Sequence, residues 1–279
     1  MPVIPPDDRL VGRWRRTLLV RPDGSEDRAT SVVWLQAGVR YVDLRIPVGV
    51  PTSAAPLASL SADELSALAT VEGFAGRLGA DGPWTCWERS VDLQPAAAPD
   101  EGLLEPDGSD LVETGRHVDY VERWRRAPRT AGPVCAAELE DVDTGAVAVL
   151  VRVGIDVGWA RGRAEDLTAG GTLADVVATA PRDRVLAAFD TEVALGVVAP
   201  DGRVLLTASS LPARVGVDLR LTADGGGRLQ SVDAAPDGTP VRRRWQVRAV
   251  EGDPAALPVR EHTPLSDPTT YPLTEETST

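Results

Sequence analysis

The chain has 279 residues and a formal net charge of −13. Such an acidic protein repels phosphate backbones and anionic lipid headgroups, so we expect neither nucleic acid nor a membrane as its partner. No run of about 18 apolar residues predicts a transmembrane helix. Residues 1–16 lack the charged and then apolar pattern of a signal peptide, which favours a cytoplasmic protein.

The basic residues exclude several kinds of site. All 29 are arginine, which excludes Schiff-base lysine chemistry and a P-loop lysine. His117 and His262 are the two histidines, so a three-histidine zinc site is excluded as well. Cys-x-x-Cys and His-x-His spacings are missing. We therefore predict no metal and no cofactor, with haem ligation by His117 or His262 as a minor alternative.

Nucleophilic catalysis has little support in the sequence. The G-x-S-x-G pattern of a serine hydrolase is missing. Cys86 could meet His117 in space, but two sparse cysteines in a cytosolic chain are more simply buried thiols. We therefore expect Cys86 and Cys135 to be buried and unlinked.

The first half of the chain reads as a series of short strands. Asp-Gly turns separate runs rich in Val, Leu and Trp, which is typical of antiparallel hairpins. The clearest runs are RWRRTLLV (13–20), SVVWLQ (31–36), VRYVDLRIP (39–47), WTCWERSVDL (84–93) and HVDYVERWRR (117–126). Ser61 and Glu64 form a capping box before LSALAT, which predicts one short helix.

A linker punctuated by Pro and Gly, RRAPRTAGPV (125–134), divides the chain into two halves without a clean sequence repeat. The predicted units are residues 1–130, residues 131–252, and a tail at 253–279 that is extended or disordered. Strand-like runs continue in the second unit, including a run at 214–222, with a possible second helix at 170–180. Many antiparallel strands with one or two short helices predict an all-β barrel or sandwich.

Alternation of side chains places unusual groups on one face of several strands. In 39–47, Tyr41, Asp43 and Arg45 share a face. In 117–126, Asp119, Arg123 and Arg125 form a conventional wet face, so the opposite face must point inward. That inward face carries Tyr120, Glu122 and Trp124, with a carboxylate between two aromatic rings.

The strand at 84–93 carries a third mixed face. Strict alternation places Trp84, Glu88 and Asp92 on one face and Trp87 with Arg89 on the other. Burying charged groups without partners costs several kcal/mol, so a plain core does not need them. The structural alternative for each charged residue is an ion pair, and for each tyrosine it is a core position whose hydroxyl reaches the backbone or solvent.

Three segments carry a resemblance to known proteins: SVVWLQAGVRYVDLRIP, GFAGRLGADGPWTCWERSVDLQP and DLVETGRHVDYVERWRR. They resemble a group of uncharacterised bacterial proteins and, more distantly, the fungal Hri family, whose fold is lipocalin-like in two halves. The segments AVAVLVRVGIDVGWARGR and GTPVRRRWQVRAV fit the same plan, so the resemblance covers about residues 10–252. It implies two lipocalin-like antiparallel barrels. Lipocalin-like barrels hold small, often apolar ligands, and some bind haem or catalyse cyclisations and isomerisations.

These patterns lead to one leading hypothesis and two alternatives. The leading hypothesis is a small-molecule site in the first barrel, with no nucleic acid and no membrane partner. One alternative is a cofactor-independent lyase, isomerase or cyclase with Asp43, Glu122 and Tyr120 as acid–base groups. The other is an interaction scaffold with filled barrels. The predicted ligand contacts are Trp34, Tyr41, Arg45, Trp84, Trp87, Glu88, Asp92 and Trp124. The ligand and the oligomeric state remain open.

Overall fold

The computed structural model describes residues 9–51, 55–96, 98–128, 131–168, 170–224 and 227–261, with the side chain of residue 261 left out. Within these residues the chain is mostly β-strand, in two nine-stranded sheets. The predicted all-β fold with two barrel-like lobes is therefore confirmed.

The first lobe is a closed barrel. Its strands are β1 (Gly12–Val20), β2 (Glu26–Asp27), β3 (Ser31–Ala37), β4 (Arg40–Ile46), β5 (Glu72–Asp81), β6 (Trp84–Asp92), β7 (Glu101–Asp107), β8 (Asp110–Gly115) and β9 (Val121–Arg126). Strands β1 and β3–β9 pair in antiparallel order, and β9 pairs back onto β1. The short strand β2 pairs only with the end of β1 among the described residues. Closure leaves the eight-stranded barrel without an open edge.

The second lobe is a curled half-barrel, in which the predicted barrel-like sheet stays open. Its strands are β10 (Val134–Asp141), β11 (Val147–Val153), β12 (Asp156–Arg161), β13 (Glu192–Val198), β14 (Val204–Ser209), β15 (Thr222–Ala223), β16 (Arg228–Ala234), β17 (Pro240–Glu251) and β18 (Arg260–Glu261). Strands β14 and β18 lie at the two ends of the sheet. The order between them is β14-β13-β12-β11-β10-β17-β16-β15-β18.

The segment after β14 departs from its prediction as a strand. Instead of one strand over 214–222, the chain forms a 3-10 helix at Pro212–Arg214, a turn at 215–216 and one isolated bridge from Asp218 to Leu205 before β15 begins. The backbone N–H of Leu206 donates to Val217 O at 3.0 Å, and Leu219 N–H donates to Val204 O at 2.9 Å. The segment therefore covers the backbone edge of β14 without forming a full strand.

Three α-helices occur among the described residues, one more than the sequence indicates. They are α1 (Ala62–Leu68), α2 (Leu173–Thr179) and α3 (Arg182–Ala188). The predicted capping box of α1 is present, since Ser61 Oγ accepts from Glu64 N–H and the Glu64 carboxylate accepts from Ser61 N–H. Thr172 and Asp175 form the same box on α2. Pro181 precedes the unpredicted α3. None of the described helices is long and apolar enough to cross a membrane.

The tail prediction falls partly outside the described residues. Residues Pro254–Ala256 form a 3-10 helix, and β18 pairs in parallel with β15. The start of the predicted tail is thus ordered, while residues 262–279, including His262, lie outside the described part of the chain.

The largest apolar cluster lies between the two lobes. It combines outward-facing side chains of β4 and β5 with those of β11, β12 and β13. Val42 and Ala75 from the first lobe and Val151, Ala160 and Val193 from the second are all fully buried. The two sheets approach closely where β12 has Gly158, because a Cβ built there would lie 2.8 Å from Val42 Cβ. The lobes therefore share one core.

Gly158→Ala should lower the free energy of unfolding by about 1–3 kcal/mol, because an added methyl group overpacks the contact with Val42. Chemical denaturation measures this loss. Gly162→Ala is the control, since its new Cβ would meet Val147 O at 3.3 Å and needs only a small adjustment. Equal losses for the two variants would contradict a specific close approach at Gly158.

Candidate functional site

The interior of the first barrel has two layers, of which the first is aromatic. Trp34 lies at its centre, with ring centroids 5.9 Å from Trp14, 6.1 Å from Trp87 and 5.8 Å from Trp124. The Trp34 Nε1–H donates to Gln36 Oε1 at 3.0 Å. The predicted ligand contacts Trp34 and Trp124 are thus buried against other aromatic rings and form the floor beneath the second layer.

The second layer is charged and lies at the end of the barrel where the loops after β6 and β8 emerge. It holds three guanidinium groups and six carboxyl groups. These belong to Arg16, Arg45, Arg89, Asp27, Asp43, Asp92, Asp100, Glu113 and Glu122. We call this set the charged layer. The sequence prediction of inward charges on β4 and β9 is confirmed by the burial of Asp43 and Glu122.

Asp43 and Arg45 belong to one chain of ion pairs. Arg45 Nε donates to Asp43 Oδ1 at 2.9 Å, and its Nη1 lies 3.6 Å from Glu122 Oε1. Arg16 Nη1 donates to the same Glu122 oxygen at 2.6 Å and its Nη2 to Asp27 at 3.0 Å. Asp43 and Arg45 therefore both point inward and pair with each other. They form a structural ion pair and also line the interior, so both alternatives from the sequence hold in part.

Glu113, on β8, is a member of the layer that the sequence predictions missed. Its carboxyl group accepts from Tyr120 Oη–H at 2.6 Å and from Trp124 Nε1–H at 2.9 Å. It lies opposite Glu122 in the ladder between β8 and β9. Alternation in DLVETG, which turns Glu113 to the same face as Leu111, is the signal that could have identified it.

A β-bulge on β6 changes the predicted faces. Ala75 pairs with Val91 but Gly76 pairs with Arg89, so Ser90 is an extra residue. The extra residue shifts the alternation by one position, so the side chains of Arg89 and Asp92 both point inward. Strict alternation would place them on opposite faces of the strand. The bulge needs Gly76, because a Cβ there would lie 1.9 Å from Glu88 O.

The same bulge corrects two predicted positions. Glu88 lies on the outer face and is exposed. Trp84 is half-buried on the same outer side, where the Arg116 guanidinium lies 5.4 Å from its ring. The prediction that grouped Trp84, Glu88 and Asp92 on one face is therefore wrong. Strict alternation fails because the register of β6 shifts by one residue after Arg89.

Arg89 is clamped by acids and by an aromatic ring. Its Nη1 donates to Asp92 at 2.8 Å and its Nη2 to Asp100 at 2.5 Å. Its Cζ lies 3.6 Å from the centroid of Phe74, and Arg45 Cζ lies 5.0 Å from the same centroid. Phe74 therefore provides an aromatic surface that two cations share.

Two buried oxygen atoms of this end lack a hydrogen-bond partner among the described residues: Tyr41 Oη and Glu122 Oε2. Tyr41 is fully buried, and its hydroxyl feels the charges of Arg89, Asp100 and Asp43. Buried polar groups are nearly always paired in folded proteins. An unpaired hydroxyl and an unpaired carboxylate oxygen are therefore potential ligand contacts.

A cleft of about 380 Å³ opens onto this layer from outside. The loop between β6 and β7 forms one wall, and residues 166–167 of the second lobe form another. The lining residues are Trp87, Arg89, Ser90, Asp92, Pro95, Ala96, Ala98, Pro99, Asp100, Asp166 and Leu167. A second groove of about 580 Å³ adjoins it along α2 and α3. Both lobes thus contribute to the cleft at the barrel mouth.

Burial changes the acidity of the carboxyl groups. Desolvation raises the pKa of Asp43 to about 6, although the neighbouring Arg45 lowers it. Desolvation and the charge of Glu122 raise the pKa of Glu113 to about 8. Burial also raises the pKa of Asp92 and of the Tyr120 hydroxyl. The excess of carboxyl groups over guanidinium groups is therefore partly relieved by bound protons.

The remaining titratable residues lie elsewhere. Cys135 is buried as predicted, but Cys86 is only half-buried, and its Sγ lies 3.6 Å from Glu101. His117 Nε2 lies 3.0 Å from the same Glu101 carboxylate, on the outside of the barrel. Burial raises the pKa of the Cys86 thiol, which opposes thiolate formation. Across the described part of the chain, no group of three or more His, Cys, Asp or Glu side chains is arranged to hold a metal ion.

Comparison with known proteins adds little to this picture. No protein-family model matches the chain, and no curated protein matches it. Among solved structures, the chain is similar to an uncharacterized protein from the yeast Saccharomyces cerevisiae, with a TM-score of 0.47 and 13% sequence identity. The match covers 86% of this chain and 98% of the yeast chain.

Glu113→Gln should make stability less dependent on pH. The folded-state pKa of about 8 lies above the ordinary value of 4.5, so the folded protein holds this proton more tightly than the unfolded chain. The resulting stability is complete below the ordinary pKa and is lost as pH rises through about 8. The glutamine has no such proton, so the variant should gain relative to wild type as pH rises.

Denaturation curves at several pH values measure this difference. Glu105→Gln removes an exposed carboxylate on β7 and is the matched control, whose curve should run parallel to wild type. A Glu113→Gln curve that also runs parallel to wild type would show that Glu113 holds no extra proton in the folded state.

Proposed function

We propose that this chain is a lipocalin-like protein that binds a small, partly apolar molecule at the mouth of its first barrel. The observation that carries the proposal is the cleft of about 380 Å³, which opens onto Arg89, Asp92 and Asp100. Ligand sites are typically concave and combine apolar walls with a few polar groups. This cleft has both kinds of lining, since Trp87 and Leu167 stand beside those three charged side chains.

Six of the eight predicted ligand contacts fall into three groups in this proposal. Trp87 and Asp92 line the cleft itself. Tyr41 and Arg45 lie behind the cleft wall, where both interact electrostatically with Asp100. Trp34 and Trp124 lie deeper in the aromatic layer. Trp84 and Glu88, on the outer face, are not part of the proposed site.

A second candidate function is cofactor-independent acid–base catalysis. The observation that favours it is Asp43, whose pKa of about 6 suits a group that exchanges protons near neutrality. Glu122 and Tyr120, the other predicted catalytic groups, lie in or beside the same layer. The Tyr120 hydroxyl already donates a hydrogen bond to Glu113, so Tyr120 would act through that carboxyl group.

The filled-barrel scaffold is supported only at the aromatic end. Four tryptophan rings occupy that end of the interior, which leaves the charged end and its cleft as the place for a ligand. A scaffold has no need for unpaired buried polar atoms such as Tyr41 Oη. Small-molecule binding accounts for the cleft and for these atoms together.

Native mass spectrometry of freshly purified protein should show a retained small molecule. Ala98→Trp should abolish retention, because Ala98 is an exposed residue of the cleft lining and a tryptophan there fills the cleft without changing the core. Ala255→Trp adds the same ring at an exposed position of the second lobe and should retain the molecule. Equal occupancy of both variants would mean that the cleft is not the binding site.

Asp43→Asn separates binding from catalysis. If the chain only binds, the variant should leave the retained molecule chemically unchanged, as wild type does on prolonged incubation. If the chain is an enzyme, wild type should convert the molecule while Asp43→Asn retains it unconverted. Mass spectrometry of the released compound over time distinguishes the two results, and a circular dichroism spectrum checks the fold.

A further inference from the structure

We infer that the cleft at the mouth of the first barrel selects an amphipathic organic cation: a primary ammonium group on a small apolar body. The inference rests on the proposed binding function and names the class of ligand. It follows from the charges and surfaces that line the cleft and from the unpaired Tyr41 hydroxyl, which interacts electrostatically with two residues of the cleft wall.

The cleft lining carries more negative than positive charge. Asp92, Asp100 and Asp166 line it together with one cation, Arg89. That guanidinium already donates to Asp92 and Asp100, and Asp166 is exposed. An added cation gains attraction from this excess, and the net charge of −13 raises the local concentration of cations around the protein.

The apolar part of the lining suits the body of such a ligand. Trp87, Pro95, Pro99 and Leu167 surround the charged groups. An aromatic or aliphatic body buried against these side chains gains about 25 cal/mol for each Å² removed from water. The volume of about 380 Å³ accommodates a single-ring molecule.

The protein already holds a cation in this way. The Arg89 guanidinium lies over Phe74 at 3.6 Å from the ring centroid, with an acid at each of its two terminal nitrogens. Aromatic faces and carboxylates are the two features that recognise organic cations. The end of the barrel is therefore built to stabilise positive charge from a side chain or from a ligand.

The unpaired buried oxygens point to the same class. Tyr41 Oη and Glu122 Oε2 have lone pairs that no described donor uses. The Tyr41 hydroxyl lies within the electrostatic reach of Arg89 and Asp100, two residues of the cleft wall. An ammonium group brings three N–H donors, which complement these two oxygens, while the unpaired Nε–H of Arg89 gains no partner from it.

An anionic ligand fits the same lining poorly. To bind Arg89 it must displace Asp92 or Asp100, and it must then lie beside the carboxylate that it displaced. Each step brings like charges together in a partly buried place, where repulsion is stronger than in water. Charge thus separates the two classes of ligand more sharply than shape does.

Isothermal titration calorimetry with three probes of one shape tests the inference: benzylammonium, benzyl alcohol and benzoate. Benzylammonium should bind at least about tenfold more tightly than benzyl alcohol, and benzoate should bind least. Asp166→Asn should weaken the binding of benzylammonium by about two- to fivefold, since it removes an exposed carboxylate of the lining. Glu105→Gln removes an equal charge from the distant end of β7 and should leave the affinity unchanged.

The outcomes separate this inference from the proposed function. Benzoate binding as tightly as benzylammonium, or benzyl alcohol binding equally well, overturns the choice of a cation and leaves the cleft as a binding site. If none of the three probes binds, the inference of a cationic ligand is overturned as well. The retained molecule in native mass spectrometry still decides the proposed function. Equal weakening by Asp166→Asn and Glu105→Gln would show that the attraction is general and not local to the cleft.

Discussion

The first barrel depends on the ion pairs within its charged layer. Arg16 joins Glu122 at 2.6 Å and Asp27 at 3.0 Å, which ties β1, β9 and β2 across the end of the barrel. Arg45 extends the chain to Asp43 on β4. Burial of each charge costs several kcal/mol, and only this dense pairing offsets the cost. These ion pairs therefore determine the geometry of the barrel mouth, while the aromatic layer fills the other end of the interior.

The second lobe repeats this arrangement with altered charges. Trp245 on β17 donates Nε1–H to Ser231, as Trp124 on β9 donates to Glu113. The ladder places Trp245 opposite Asp141, where the first lobe has Trp124 opposite Arg16. The charge two residues before each tryptophan is reversed as well, since Arg243 precedes Trp245 and Glu122 precedes Trp124. The pair of Arg243 and Asp141, at 3.8 Å, thus stands where the first lobe has Glu122 and Arg16.

The sequence predicted the strands well, because alternation and Asp-Gly turns are local signals. The inward turn of Asp43 and Glu122 followed from the wet face that Asp119, Arg123 and Arg125 form. The β6 faces could not be predicted, since the bulge depends on the approach of Glu88 O to Gly76 across the ladder. The open second lobe likewise depends on long-range pairing that no short pattern records.

Only part of the candidate site could be predicted from the sequence, for a related reason. Asp43 and Arg45 can be recognised in the sequence as charges within an apolar strand. Asp100 and Asp166 lie in loops of ordinary polar composition, where nothing distinguishes them. Only the fold brings those loops, one from each lobe, to the two sides of one cleft. The repeat between the lobes was hidden too, because its equivalent positions carry opposite charges.

The balance of charge in the two lobes supports our proposal that the first lobe binds the ligand. The second lobe sets three guanidinium groups against four carboxyl groups, in a network of direct pairs. Its members are Arg161, Arg214, Arg243, Asp141, Asp190, Glu192 and Asp233. The first sets three guanidinium groups against six carboxyl groups, with the more exposed Arg21 also 3.8 Å from Asp27. Burial is the main cause that raises the pKa of Asp43 and Glu113, and the charge of Glu122 adds to it. A network close to neutrality stabilises its own fold, whereas surplus carboxyl groups favour bound protons or another cation. A mouth open to solvent beside that surplus is where such a cation can enter.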